Sequence, residues 1–323
     1  MNSLLFKLHF TTAVHFGLPD SALSLTSSQE TFCADTLFSA LCHTAFSLWG
    51  TKGVEELCAW AKEGSLLLSD AMPWRENTLY LPKPMARAQS TVELPAEDRK
   101  AMKKLQWLPV EAFDGFARSL AGGPAFEPRR HSTRFGTPVE MTRARVCEGE
   151  DAVPYAVGTF HFEENCGLYL LAQCENERQS DVLVALLKAL GLSGIGGKIS
   201  SGYGRFVLED PVRLEQPHDR QTEWLCKALQ GEHSHYLLVS ASLPQDGELD
   251  RTLAGASFAL IRRGGFVQSN TYAAQARKKR TQYFLASGSV LSCRFCGDLY
   301  EVGSGGSHPV YRYGRPVLLG VDL

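Results

Sequence analysis

Residues 191 to 206 read GLSGIGGKISSGYGRF, six glycines in sixteen positions, set between an apolar helix-like run and an apolar strand-like run. Glycine removes the Cβ barrier to positive φ, so a stretch this dense in it can align backbone N–H groups into an anion-binding nest. Lys198 adds a point charge and the paired Ser200 and Ser201 add hydroxyl donors. A phosphate-binding nucleotide loop would need glycine five positions before Gly197 and a hydroxyl residue after Lys198, but Leu192 and Ile199 stand there. The dinucleotide pattern begun by Gly194 and Gly196 needs a third glycine where Ile199 stands. Both motifs also place the loop after a strand and before a helix, the reverse of the order here. A plain turn between helix and strand accounts for the glycines alone. The combination with Lys198, Ser200, Ser201, Tyr203 and Arg205 is what single-stranded RNA asks for, because phosphates position it and rings stack its bases.

Charge points the same way once it is divided along the chain. The net charge of -2 hides an acidic first part and a basic tail: residues 251 to 323 hold 10 Lys or Arg against 3 Asp or Glu. A local excess of this kind suits phosphate backbones, and equally a solvated face or a dock for an acidic protein. In the tail, Arg262 and Arg263 precede a Gly-Gly pair, and Lys278 and Lys279 lie within the run RKKR. A further basic segment, EPRRHSTRFGTPVEMTRARV, carries Arg134 and Arg143 and reads either as a basic hairpin or as an exposed charged loop.

A chain of 323 residues favours two domains. Residues 4 to 10 alternate as a strand, and a helix follows with Asp35 as its N-cap and Leu37, Leu41 and Leu48 on one face. Residues 51 to 150 read as an insertion, and residues 154 to 174 as a hairpin. Ser180 is placed to cap the next helix and Gly191 to end it; the glycine-rich loop 191–204 and the strand RFVLE complete the order strand, helix, strand, strand, helix, strand. Residues 215 to 224 read as a linker to a weaker second copy of that order. In this copy ELDRTLAGASFALI is expected to be a helix and HYLLVSASL, RTQYFLASGSVLSCRF and HPVYRYGRPVLLGV strands.

The nine cysteines are odd in number, and several lie in apolar runs, as thiols do in a reducing compartment. Cys293 and Cys296 form one CxxC with His308 downstream, but no second pair completes a zinc site, and no metal or cofactor is expected. The opening MNSLLFKLHF suits a strand better than a signal peptide, and no run approaches a membrane span, so a cytoplasmic location with no membrane contact is expected.

The glycine loop after the last helix of a ferredoxin-like unit resembles that of the RAMP superfamily of CRISPR proteins. HFG at 15 to 17, DTLFSAL, LYLPKP, NCGLYLLA, RRGGF, SGSVL and PVYRYGRPVLLGV narrow the resemblance to the fourth-subunit family of type III-A Csm effector complexes. The resemblance implies an α+β chain of two ferredoxin-like (RRM-like) RAMP domains, 1–214 and 225–323, with a thumb hairpin within residues 127 to 150. It implies a subunit with no catalytic residues that holds the 5′ repeat-derived handle of crRNA. Its protein partners would be the large polymerase-like subunit and the first backbone RAMP subunit, and it would meet target RNA only indirectly. Carried onto this chain, Gly196, Gly197, Lys198, Ser200, Ser201 and Gly202 hold handle phosphates and Arg205 supports them, while Tyr203 either stacks on a base or packs beneath the loop. His15, Phe16 and Gly17 lie where the family contacts RNA, and Arg262 and Arg263 are further handle ligands. Some RAMP proteins cleave RNA, so a crRNA-processing endoribonuclease using His15 or His43 is the alternative.

Overall fold

The computed structural model describes residues 1–18, 23–86, 95–145, 151–269 and 271–323. Strand β1 (Asn2–Phe10) is buried on both faces over Ser3–Phe6, which makes it a central strand. The first helix, α1 (Ala34–Trp49), is not capped by Asp35: Cys33 is the N-cap residue, and the Ala34 N–H donates to the Asp70 carboxylate at 2.7 Å. Helix α2 (Thr51–Glu63) follows directly. The segment read as an insertion then feeds the main sheet: β2 (Leu66–Leu68) and β3 (Met72–Arg75) pair with the later strand Cys166–Cys174, β4 (Thr78–Pro82) pairs with β3, and after α3 (Ala96–Lys104), β5 (Trp107–Pro109) pairs with β4. Helix α4 (Phe113–Leu120) closes this part.

Strands β6 (Gly136–Arg145) and β7 (Val153–Phe162) form one long antiparallel ribbon, in register from Gly136↔Phe162 to Arg145↔Val153. The hairpin expected over 154 to 174 is therefore not formed. β8 (Cys166–Cys174) pairs with β1, β2 and β3 instead, because almost every one of its side chains is buried and only a central position can cover both faces. Helix α5 (Glu177–Ser193), β9 (Phe206–Leu208) and β10 (Val212–Arg213) complete the sheet, whose order is β10-β1-β8-β3-β4-β5 with β9 also on β1. On one face α1 and α5 bury Leu37, Leu41, Leu183, Leu186, Leu187 and Leu190 against Phe6, Leu8, Leu168 and Leu170.

The second part reaches both faces of that sheet: Leu225 and Leu237 join a core on the opposite face, while Leu299 and Tyr313 join the core beneath α1 and α5. Its first helix, α6 (Arg220–Gln230), starts inside the expected linker, with the Asp219 carboxylate accepting from the Thr222 N–H at 2.8 Å. β11 (His235–Leu238) is followed by α7 (Leu249–Leu253), which stops well short of the expected helix, as Gly255 takes φ 70 and the chain re-extends into β12 (Leu260–Arg263). β13 (Gln282–Leu285) pairs with β12, β14 (Val290–Leu291) and β17 (Leu318–Val321) flank β11, and β15 (Leu299–Glu301) pairs with β16 (Tyr311–Tyr313). Leu225, Leu229, Leu237, Val239 and Leu319 share one core with Leu5, Tyr169 and Leu171 of the first sheet. Among the described residues, no helix is long and apolar enough to cross a membrane, and no cluster of His, Cys, Asp and Glu is placed to hold a metal ion.

Candidate nucleic-acid interface

The glycine loop is built by stitching its backbone to the segment after β1. Helix α5 is capped by Asn176 rather than Ser180, its side chain accepting from the Gln179 N–H at 3.1 Å, and it runs through Gly191 to Ser193. Gly191 serves another purpose: a Cβ there would lie 2.4 Å from the carbonyl oxygen of Phe206, so glycine lets β9 pass close to the helix. Beyond the helix, Ile195 is buried as an anchor and donates its N–H to the Gly204 carbonyl at 3.0 Å. Gly197 and Gly204 donate to the His15 and Ala13 carbonyls, both at 2.8 Å. Lys198 is left-handed at φ 60, Ile199–Ser201 form one tight turn, and Ser200, Ser201 and Arg205 stand exposed, with Gly202 half-buried.

A cleft of about 750 Å³ opens beside this loop. One wall is Gly194–Gly197 with His15, Phe16 and Gly17; another is the polar face of α1, including Asp35, Ser39 and His43; the third is Arg263–Phe266 with Lys279 and Arg312. Seven of the residues singled out in the sequence thus meet in one place: His15, Phe16, Gly17, Gly196, Gly197, Arg263 and Lys279. Their roles are not the expected ones throughout. Phe16 packs in the core against Phe32, with ring centroids 5.1 Å apart. His15 is buried beneath Gly197 and its Nδ1 donates to the Gly158 carbonyl at 2.6 Å, so both side chains shape a wall and are not free to reach a ligand.

Arg263 is also committed to the protein. Its Nε and Nη2 grip both oxygens of Asp35 at 2.9 and 2.5 Å, and Nη2 also reaches Thr36 Oγ1 at 3.1 Å. Arg312, absent from the sequence reading, is buried, lies 3.7 Å from the same carboxylate, and donates to the carbonyls of Arg280 and Gly264 at 2.9 and 3.2 Å. Nothing in VYRYG marks this arginine, because its partners, at Asp35, Gly264 and Arg280, lie far away in the chain. Burial and the nearby Arg312 guanidinium lower the pKa of Lys279, and burial together with Lys279 lowers that of His43. The charged residues of the cleft are three cations and one carboxylate, a site that favours an anion.

The remaining residues lie around the cleft. Lys198 turns its ammonium over the Tyr155 ring of β7, 4.9 Å from the centroid. Tyr203 packs beneath the loop, where its hydroxyl accepts from Arg143 Nη2 at 2.5 Å and lies 3.5 Å from Met141 Sδ. Arg134 folds onto the start of β6, donating to the Gly136 carbonyl and Thr137 Oγ1, and lines a separate cavity of about 520 Å³ with Trp107 and Phe135. Arg262 is exposed on β12, opposite Tyr283. Lys278 sits 5.7 Å over the exposed Phe266 ring. Leu192, at the end of α5, is 79% exposed.

Residues 231–321 match the family model described as CRISPR Csm4 C-terminal domain. The chain is 36% identical over 323 residues to the CRISPR system Cms protein Csm4 of Mycobacterium tuberculosis, covering 99% of this chain and 98% of that protein. In fold it is similar to a chain of the crystal structure of the Csm3-Csm4 subcomplex in the type III-A CRISPR-Cas interference complex, with a TM-score of 0.64, 18% identity and all of both chains covered. It is also similar to a chain of the Csm1-Csm4 cassette solved with pppApA, with a TM-score of 0.62 and 21% identity over 100% of this chain and 99% of that one.

Proposed function

The chain belongs to the Csm4 family of CRISPR proteins, and from that membership and the cleft we propose that it is a non-catalytic crRNA-binding subunit of a type III-A Csm ribonucleoprotein. The handle of the crRNA, derived from the repeat, lies with its phosphates along the glycine loop and the basic wall opposite. The observation that carries this reading is the convergence of three distant segments, at residues 15–17, 194–197 and 263–266, on one cleft with three cations to one carboxylate. Beyond the cleft, Lys198, Tyr155 and Arg143 continue a cationic and aromatic strip onto the β6–β7 ribbon, which we take as the thumb that bends the RNA. Its two strands span Gly136–Arg145 and Val153–Phe162, so the return strand lies beyond the range 127 to 150, and residues 146–150 lie outside the described residues.

The order β9/β10, β1, β8, β2/β3, with α1 and α5 on one face, supports reading the first part as ferredoxin-like. The second part, with β11 between β14 and β17, reads as a looser copy. The subunit works in the cytoplasm and links the large polymerase-like subunit to the first backbone RAMP subunit, a role supported by relatives solved with Csm1 and with Csm3. Target RNA reaches it only through the crRNA.

Purification of the intact complex from its host, followed by sequencing of the bound RNA, tests the reading. Repeat-derived 5′ ends protected by this subunit in a crosslinking map are the expected result; RNA ends unrelated to the repeat would overturn it. The endoribonuclease alternative finds little support in His15, whose imidazole is buried and already bonded to Gly158. Incubation of repeat RNA with the purified chain without metal should leave it uncut.

A further inference from the structure

Among the cations of the cleft, Lys279 differs from the two arginines in a way that assigns it a ligand. Arg263 and Arg312 both converge on Asp35, and Arg312 donates further to the Arg280 and Gly264 carbonyls and to Gln282 Oε1. Asp35 is the one carboxylate among the residues lining the cleft, and it is already gripped through both oxygens. The Lys279 ammonium, among the described residues, has no carboxylate or carbonyl at hydrogen-bonding distance, although its backbone is fixed by the N–H donated to the Gly265 carbonyl at 2.8 Å. An isolated bridge between Phe266 and Lys278 sets the two lysines apart: Lys278 stands exposed over Phe266, and half-buried Lys279 one residue on lines the cleft with α1. A cation drawn into a wall without a counter-ion is costly to hold there unless an anion completes the site. The floor beside it is open: Gly265 has φ +104, and a Cβ built on it would meet no atom within 4 Å, so a phosphodiester can approach the backbone closely.

Resting on the handle-binding reading above, we infer that Lys279 and the Gly264–Gly265 turn form a subsite for one RNA backbone phosphate, for which the Asp35–Arg263–Arg312 cluster is a fixed frame and not a ligand. A compact ammonium suits this, as it can follow a tetrahedral oxyanion from several directions, whereas Arg263 is held in plane by bidentate pairing with Asp35 and Arg312 by its bonds to Arg280, Gln282 and Gly264.

The test uses the full chain and a short single-stranded RNA bearing the repeat-derived handle sequence, with each phosphate in turn replaced by an uncharged methylphosphonate. Lys279→Met should weaken binding of the unmodified RNA roughly tenfold and flatten the log-log salt dependence by about 0.7. Lys279→Arg should retain most of the affinity. At one position, methylphosphonate should weaken wild-type binding by the same factor and leave the Lys279→Met variant unchanged, while at the other positions both proteins lose equally. Should Lys279→Met misfold, as shown by its melting curve, Lys279→Gln replaces it in the same cycle. Tight wild-type binding with additive losses at every position would overturn the subsite and leave handle binding intact. No binding of the handle RNA by the wild-type chain would overturn both.

Discussion

At the residue scale the glycine loop separates two kinds of glycine that the sequence presents as alike. Gly204 has φ +76 and a Cβ there would lie 2.0 Å from the Ile195 carbonyl oxygen; Gly202 has φ +85 with open space around it. Gly202→Ala should therefore cost only the left-handed penalty, about 1 to 2 kcal/mol. Gly204→Ala must also push apart the two strands of the loop, breaking the Ile195 to Gly204 hydrogen bond, and should lower the melting temperature by clearly more than Gly202→Ala. Equal shifts for the two variants in thermal denaturation would contradict this account of the loop. Tyr203 shows the limit of reading from one residue. Its ring was open to stacking or packing on sequence alone, and what decides between them is Arg143 and Met141, sixty residues away in the chain but in hydrogen-bond contact. Asp35 is similar: it has the local marks of a helix cap, and its actual partner is Arg263, 228 residues on.

At the scale of elements, the helices and most strands were legible because apolar periodicity is local, whereas pairing was not. β7 and β8 are separated by a three-residue turn and look like a hairpin, yet β7 pairs back to β6 and β8 enters the middle of the sheet. The signal available was burial: CGLYLLAQC is apolar on both faces, as a central strand must be. The segment 51 to 150, which reads as an insertion, adds β2 to β5 to the main sheet, a pairing its short strands do not announce. The join between α2 and the second part yields a prediction of this kind. Buried Arg315 donates from Nε to the Ala61 carbonyl at 2.5 Å, donates from Nη2 to the Lys62 carbonyl, and reaches the Cys296 carbonyl at 3.4 Å, satisfying the open end of α2 that Gly64 terminates. Arg315→Met keeps the stem and strands those carbonyls, and should destabilise the chain by about 2 to 4 kcal/mol in urea denaturation. Hydrogen exchange should quicken first in the last turn of α2; faster exchange confined to β16 and β17 would show that the arginine serves its own strands instead.

At the scale of the whole molecule, the two halves are tied by a second carboxylate besides Asp35. Asp70 accepts the Ala34 N–H at the start of α1 at 2.7 Å and the Ala241 N–H just after β11 at 2.9 Å. Burial pushes its pKa up to about 7, against the pull of those two N–H groups and of Arg263, while nearby Asp35 pushes it further in the same direction. In the unfolded chain the group would release its proton near pH 4. The folded state therefore keeps a proton that the unfolded state has lost between about pH 4 and pH 7. Stability from this group is complete below that window, falls through it by up to about 1.4 kcal/mol per pH unit, and stays at its lower value above it. Asp70→Asn retains an oxygen to accept both N–H groups and cannot ionise. Urea denaturation at pH 5 and pH 8 should then show the variant gaining on the wild type as pH rises, even where other groups such as His43 move both curves, because their contribution is common to the pair. Parallel stability curves for the two proteins across this window would mean that Asp70 does not titrate there, and that the tie between the halves is a carboxylate already charged at pH 5.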